Sequence, residues 1–229
     1  MKKTIFLSFI LSSYMFAGTM LVDAENSALD SITQRLAYKE LPKNESSYRF
    51  FTEKVAKNYG IDPLLAMAIM KVESAFNPYA VSETGALGLM QLKMDQAIED
   101  VYVKVYGINS IPSPSNFFEP ELNIEVGVAY IWLMSNRYFQ NITNQKSKEY
   151  CMIAGYNAGA GAVLRTFDAD KLKAQEIINS LSPEKVLYIL KTKLDNMQGR
   201  RYIVKVMDVL QKESFAKYRA SNSKGFLID

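Results

Sequence analysis

Histidine is absent from the 229 residues, and cysteine occurs once. Those two counts exclude His-dependent triads, HExxH zinc sites, Cys-rich zinc modules and any disulfide within the chain, because the side chains they need are missing. Chemistry done by this chain must run on carboxylates, hydroxyls, amides and backbone groups. A block of like charge is missing too: 27 Lys and Arg stand against 24 Asp and Glu, a net charge of +3 spread along the sequence. Without a basic block there is no footprint for DNA or RNA, so no nucleic-acid partner is expected. Hydrophobic residues make up 48% and charged residues 22%, enough apolar content for a core and against long disorder. One domain is the default and two the upper bound.

The N-terminus has the layout of a targeting device. Residues 1–24 start with Lys2 and Lys3, run apolar from Ile5 to Ala17, and reach the small-x-small site Val22-Asp23-Ala24. The expectation is a secretory signal peptide cleaved after Ala24. An uncleaved anchor is the rival, but the apolar run is shorter than the roughly 20 residues a spanning helix needs. Loss of Lys2, Lys3 and Asp23 would leave 25 basic and 23 acidic residues, a net +2. No cysteine follows the apolar run, so lipid attachment has no acceptor, and a soluble, periplasmic protein is expected. Cys151, within Tyr150-Cys151-Met152-Ile153-Ala154, reads as a small buried hydrophobe.

Beyond residue 24 nearly every segment has helical periodicity, which makes the fold class all-α. Helices are expected at 27–39, 46–59, 63–73, about 91–106, 121–140, 147–157, 159–167, 171–179, 183–196 and 199–218. Asp62-Pro63 supplies an N-cap and a proline at the first helical position. Residues 77–90, rich in Gly, Ser and Pro, and the stretch around Pro112 and Pro114 read as loops. The domain expectation is a signal peptide at 1–24, a helical extension at 25–45, a catalytic domain at 46–210 and a tail at 211–229.

The helix from Pro63 to Val72 is apolar on nearly every face, so it reads as a core helix that delivers Glu73 into the turn Phe76-Asn77-Pro78. Desolvation and the negative end of the helix dipole both raise a carboxyl pKa there, which makes Glu73 a candidate general acid. Taken alone, a Glu at a helix end is more often a solvated surface residue.

The residues after it carry more weight. Glu73-Ser74-Ala75-Phe76-Asn77-Pro78-Tyr79-Ala80-Val81-Ser82-Glu83-Thr84-Gly85-Ala86-Leu87-Gly88-Leu89-Met90-Gln91 resembles the first motif of the family 1 lytic transglycosylases, the soluble-lytic-transglycosylase domain of glycoside hydrolase family 23. Every fixed position of the pattern E-S-x-F-N-P-x-A-x-S-x-x-G-A-x-G-L-M-Q is filled. Gly127-Val128-Ala129-Tyr130-Ile131, Ala154 to Val163 and Arg201-Tyr202-Ile203-Val204-Lys205-Val206 are similar to the family's later segments, in its order. Resemblance covers roughly residues 46–210. Two departures stand out: Leu92-Lys93-Met94-Asp95-Gln96 where the family continues with Pro and Thr, and Gly155 between Ala154 and Tyr156.

The resemblance implies a lysozyme-like helical domain that cleaves the bond between N-acetylmuramic acid and N-acetylglucosamine in peptidoglycan strands. It implies Glu73 as the catalytic acid and then base, with the substrate's N-acetyl group assisting and its C6 hydroxyl completing a 1,6-anhydro product. Ser82, Gln91, Tyr130, Tyr156, Asn157 and Tyr202 match positions that line the cleft, hold the N-acetyl group or orient the acid, and Met90 matches an apolar wall. No metal or organic cofactor is implied, and a monomer is expected. Without the family, Tyr130 and Tyr202 would read as core aromatics, Met90 as core filler and Asn157-Ala158-Gly159 as a helix C-cap. Two rivals stay open: a lysozyme-type hydrolase using an ordered water, and a non-catalytic peptidoglycan-binding component of a secretion or flagellar assembly.

Overall fold

Asp62 accepts a hydrogen bond from Leu64 N at 2.9 Å, and Pro63 opens the helix, as its fixed φ allows. That helix is the spine of the fold. The structure, a computed structural model, describes residues 45–212; the expected signal peptide, most of the 25–45 extension and nearly all of the 211–229 tail lie outside them. We number the helices α1 (Glu45–Tyr59), α2 (Pro63–Ser74), α3 (Glu99–Val101), α4 (Pro120–Leu133), α5 (Gln145–Ala158), α6 (Ala160–Arg165), α7 (Lys171–Ser180), α8 (Pro183–Lys193) and α9 (Met197–Gln211). The described residues hold no β-strand, only two isolated bridges, Val81 with Leu87 and Leu87 with Leu92. The all-α expectation is met.

Two helices are buried almost all round, as their continuous apolar sequences require. In α2 every residue from Leu64 to Met70 is buried, and in α4 the same holds for Asn123, Ile124 and the run from Val126 to Ile131. Helix α9 is instead amphipathic: Gly199, Tyr202, Ile203, Val206 and Leu210, at three- and four-residue spacing, form the face that packs on α2, α5 and α8. Asn144, Asp170, Ser182 and Asn196 cap α5, α7, α8 and α9 through their side chains, satisfying first-turn N–H groups.

Three π-helical turns break this regularity: Met94–Ile98 and Tyr102–Tyr106 on either side of α3, and Met134–Tyr138 at the end of α4. The first falls where Leu92-Lys93-Met94 replaces a Pro-Thr start. Lys93 offers no capping side chain, and the helix opens with wide turns. The stretch after Pro112, expected as loop, contains a short 3-10 helix, Pro114–Phe118; one such turn is too short to leave a periodic pattern. At Gly155 a Cβ would lie 3.2 Å from the Phe139 ring, so the inserted glycine lets α5 close on the aromatic that ends the π turn.

Candidate functional site

Glu73 occupies the last turn of α2, one residue before Ser74 ends it. The chain then leaves the helix through Ala75 (φ 50°) and Phe76 (φ 66°), two non-glycine residues in the left-handed region. Gln91 (φ 48°), at the far end of the same loop, is the third, and these are all the positive-φ non-glycine residues among those described. Such strain costs on the order of 1 kcal/mol or more per residue and persists only where packing fixes the backbone. Here it is fixed: Phe76 is buried and stacks on Tyr48 at 6.4 Å, while Lys71 Nζ lies 5.1 Å from the ring.

Hydrogen bonds tie the loop to itself. Ser82 Oγ accepts from Ala86 N at 2.9 Å, Leu87 and Leu92 exchange backbone bonds at 3.0 Å, and Gly88 N donates to Ala80 O at 2.8 Å. Gln91 Nε2 donates to Ala80 O and Gly88 O at 3.1 and 3.0 Å, which leaves its side-chain oxygen for other work. Asn123 of α4, fully buried, staples the loop to the core: its Oδ1 accepts from Met90 N at 2.8 Å and its Nδ2 donates to Leu87 O and Phe117 O at 2.9 and 2.7 Å. Met90 has no exposed surface and presses on Gly127, where a Cβ would lie 2.2 Å from the methionine sulfur. The structure therefore places Met90 beneath the site as packing, not on its surface. Gly127 is needed because nothing larger fits.

Three tyrosines lead away from Glu73. Tyr156 donates from its hydroxyl to Met90 O at 2.8 Å, stacks on Tyr202 at 6.5 Å with the rings 6° from parallel, and meets Tyr130 edge-on at 5.7 Å. Burial raises the hydroxyl pKa of all three, and for Tyr156 and Tyr202 the Glu73 charge raises it further. All three hydroxyls therefore stay protonated, and that of Tyr156 is spent on Met90 O.

Glu73 is only half-buried by accessible surface, yet its surroundings desolvate it strongly, and its pKa rises from 4.5 to about 7. Desolvation is the largest cause. The Tyr202 hydroxyl and the Lys205 ammonium act the other way, favouring the carboxylate. The Tyr202 hydroxyl is buried without a hydrogen bond of ordinary geometry, so it stands as a loose donor facing Glu73. No second carboxylate contributes to the shift; Glu83 is exposed in the loop. Among the described residues no group of three or more His, Cys, Asp or Glu is placed to hold a metal.

Beyond the tyrosines lies a groove of about 860 Å³. Tyr130, Tyr156 and the exposed Asn157 face it, while Glu73, Ser82, Gln91 and Tyr202 do not line it. The candidate residues thus fall into a cluster around Glu73 (Tyr202, Tyr156, Tyr130), of which Tyr156 and Tyr130 also face the groove, a loop held by its own hydrogen bonds (Ser82, Gln91), packing below it (Met90) and Asn157, which faces the groove alone. Sequence reasoning missed Asn123 and the electrostatic role of Lys205. Lys205 was within reach, lying three residues after Tyr202 on the same helical face.

Comparison with known proteins bears on this arrangement. The family model "Transglycosylase SLT domain" matches residues 50–179. Membrane-bound lytic murein transglycosylase C of Photorhabdus laumondii is 45% identical over 176 residues, 77% of this chain and 49% of that protein. Its namesake from Yersinia pestis is 45% identical over 175 residues, 76% and 49% of the respective lengths. The chain thus spans about half the length of the curated relatives it matches. Among solved structures, the 70 kDa soluble lytic transglycosylase of Escherichia coli aligns with a TM-score of 0.54 at 25% identity, over 76% of this chain and 24% of that one. An inactive mutant of lytic transglycosylase Slt from Pseudomonas aeruginosa aligns with a TM-score of 0.52 at 24% identity over the same shares, a likeness of fold. With the motifs in order, the helical fold matched and the family model covering more than half of its residues, the chain belongs to the transglycosylase SLT-domain family.

Proposed function

We propose that the protein is a peptidoglycan lytic transglycosylase of the cell envelope, with Glu73 as its one acid and base. A single observation carries this reading: a carboxyl whose pKa rises to about 7 by desolvation, with a tyrosine and a lysine but no second carboxylate influencing it. Such a group is half protonated near neutral pH, so it can give a proton and then take one back. Glycosidases that work with two carboxyls set the second close to the first, and among the described residues no carboxylate influences Glu73.

In the reaction, Glu73 passes its proton to the oxygen linking N-acetylmuramic acid to N-acetylglucosamine, while the N-acetyl oxygen of the muramic acid bonds to C1 and the glycosidic bond breaks. The C6 hydroxyl then bonds to C1, the N-acetyl oxygen leaves, and the Glu73 carboxylate takes the hydroxyl proton. Water is neither consumed nor released. Tyr202 favours the carboxylate after the first step, and Lys205 limits how far the pKa rises. Ser82, Gln91, Tyr130, Tyr156 and Asn157 shape the cleft and hold the sugars; Met90 supports the loop from below.

Digestion of purified peptidoglycan tests the reading. Muropeptides ending in 1,6-anhydro-N-acetylmuramic acid, one water lighter than hydrolysis products, are expected. Reducing ends would establish a hydrolase, and binding without release a recognition module. The names of the relatives support work on murein in the envelope. Export with cleavage after Ala24 is the matching reading of residues 1–24, checked by a mature N-terminus at Glu25.

A further inference from the structure

Just past Glu73 the backbone adopts a turn that its sequence resists. Asn77 N donates to Ser74 O at 3.0 Å, and the two residues between, Ala75 (φ 50°) and Phe76 (φ 66°), are both left-handed. That is a turn of the I′ class, which glycine, asparagine and aspartate usually fill. Here an alanine and a phenylalanine fill it, each in a conformation that L-residues disfavour. No other neighbouring pair of non-glycine residues among those described is so placed. Strain of this kind persists only where the surroundings hold it, and it gathers at active sites.

Ala75 is exposed and supplies no grip. The hold is on Phe76, whose buried ring stacks on Tyr48 with centroids 6.4 Å apart and planes 29° from parallel. Tyr48 heads the buried stripe of α1, Tyr48, Thr52, Val55 and Ala56, so it stands on an element that packing fixes in place. Its hydroxyl is buried and lacks a hydrogen bond among the described residues, which lowers stability. What this position contributes is therefore the ring. Lys71 joins the same assembly: its carbonyl accepts from Ala75 N at 3.1 Å, and its ammonium lies 5.1 Å from the Phe76 ring.

Glu73 stands between these holds, two residues after Lys71 and directly before the turn. Helix ends fray by default, and a frayed last turn would let water reach the carboxyl. We infer that Tyr48 and Phe76 are positioning residues for Glu73: their stacked rings hold the strained turn that stops α2 from fraying, and so fix where the acid's side chain stands. The inference rests on the reading of Glu73 as the acid. It adds Tyr48, which lies ahead of the residues 50–179 that the family model matches.

The test compares full-length chains in which position 48 keeps or loses its ring. Tyr48→Phe keeps the ring and drops the unpaired hydroxyl, so kcat on purified peptidoglycan should stay within about 2-fold of the parent's. Tyr48→Leu keeps apolar bulk without a ring face. Its kcat should fall on the order of 10-fold with KM within about 2-fold, because the defect is a misplaced acid and not weaker binding. In the same variant water reaches the freed helix end, so the Glu73 carboxyl, titrated by carbon NMR, should ionise at lower pH than in the parent or in Tyr48→Phe. Adding Ala75→Gly to Tyr48→Leu lets one turn residue be left-handed without strain, and should recover several-fold of the lost kcat. Phe76→Leu, read the same way, tests the pair from its other member if Tyr48→Leu does not fold. A folded Tyr48→Leu or Phe76→Leu chain with kcat and titration both unmoved would overturn the inference, whatever its Tm, since that marks plain packing. So would a Tyr48→Phe chain as impaired as Tyr48→Leu. Titration needs no turnover: if the parent releases no anhydro product, the reaction reading fails and the titration alone decides the pair.

Discussion

Around Glu73 the neighbours are an apolar helix, buried tyrosines and one cation, Lys205, that limits the pKa rise; past Tyr156 the wall turns to Lys93, Arg137, Lys171, Asp95 and Asp100. The first region is held by strained backbone and buried hydrogen bonds, the second by π turns and a surface ion pair. A raised carboxyl needs desolvation, which long charged side chains would spoil by bringing water with them. Those same side chains favour an anion nearby. A layer of tyrosines, Tyr130 and Tyr156, separates the two. Variants on either side should therefore have different consequences.

The largest effect belongs to Glu73→Gln. Glutamine keeps the shape but holds no transferable proton, so release of anhydro-muropeptides should fall by at least about 1000-fold, measured by mass-resolved chromatography of digests. Binding to purified peptidoglycan should persist. Parallel loss of both would mean that the two regions are one.

Asn123→Ala comes next. It leaves Met90 N–H and the carbonyls of Leu87 and Phe117 without partners in a fully buried place. A cost of about 3 kcal/mol is expected, and calorimetry should show Tm lower by roughly 6–12 °C. No such loss should follow Arg137→Gln, because Arg137 is exposed and unpaired among the described residues.

Much of the chemistry end was legible in the sequence. Asp62-Pro63 announced the start of α2, the apolar run implied its burial, and its last turn put Glu73 at the edge of the core. The raised pKa was expected from desolvation and helix dipole together, and desolvation is the largest cause in the structure. What escaped were contacts between distant segments. Asn123 meets Met90 across 33 residues and Tyr156 meets Met90 across 66, and neither pairing leaves a periodic trace. For Met90 the family resemblance implies an apolar wall while the residue alone reads as core filler, and the structure has it fully buried against Gly127. The π turns were invisible since their apolar spacing differs little from that of an α-helix, and with them went the convergence of Lys93 and Arg137.

A third effect, of stability, has a sign fixed by the pKa. Folding raises the Glu73 value from 4.5 to about 7, so the folded state disfavours the anion. Below pH 4.5 the group is protonated folded or unfolded and costs nothing. As pH rises towards 7 the unfolded chain ionises first, and above 7 the full penalty applies, at most about 3 kcal/mol. Glu73→Gln should therefore match the parent in denaturant unfolding at pH 4 and exceed it at pH 8. Equal stability at both would place Glu73 in water.

The smallest effect separates the two sets of cations. Lys205 favours the Glu73 carboxylate, and its removal should let the pKa climb. The alkaline limb of kcat/KM, which reports the acid in the free enzyme, should move up by a few tenths of a unit in Lys205→Gln. Tyr202→Phe should move it the same way, because the hydroxyl also favours the anion. Arg137→Gln should leave the limb where it was, since Arg137 is not among the groups that shift Glu73. A limb displaced equally by Arg137→Gln and Lys205→Gln would show that the tyrosine layer does not insulate the acid, and that groove occupancy tunes the chemistry through its charge.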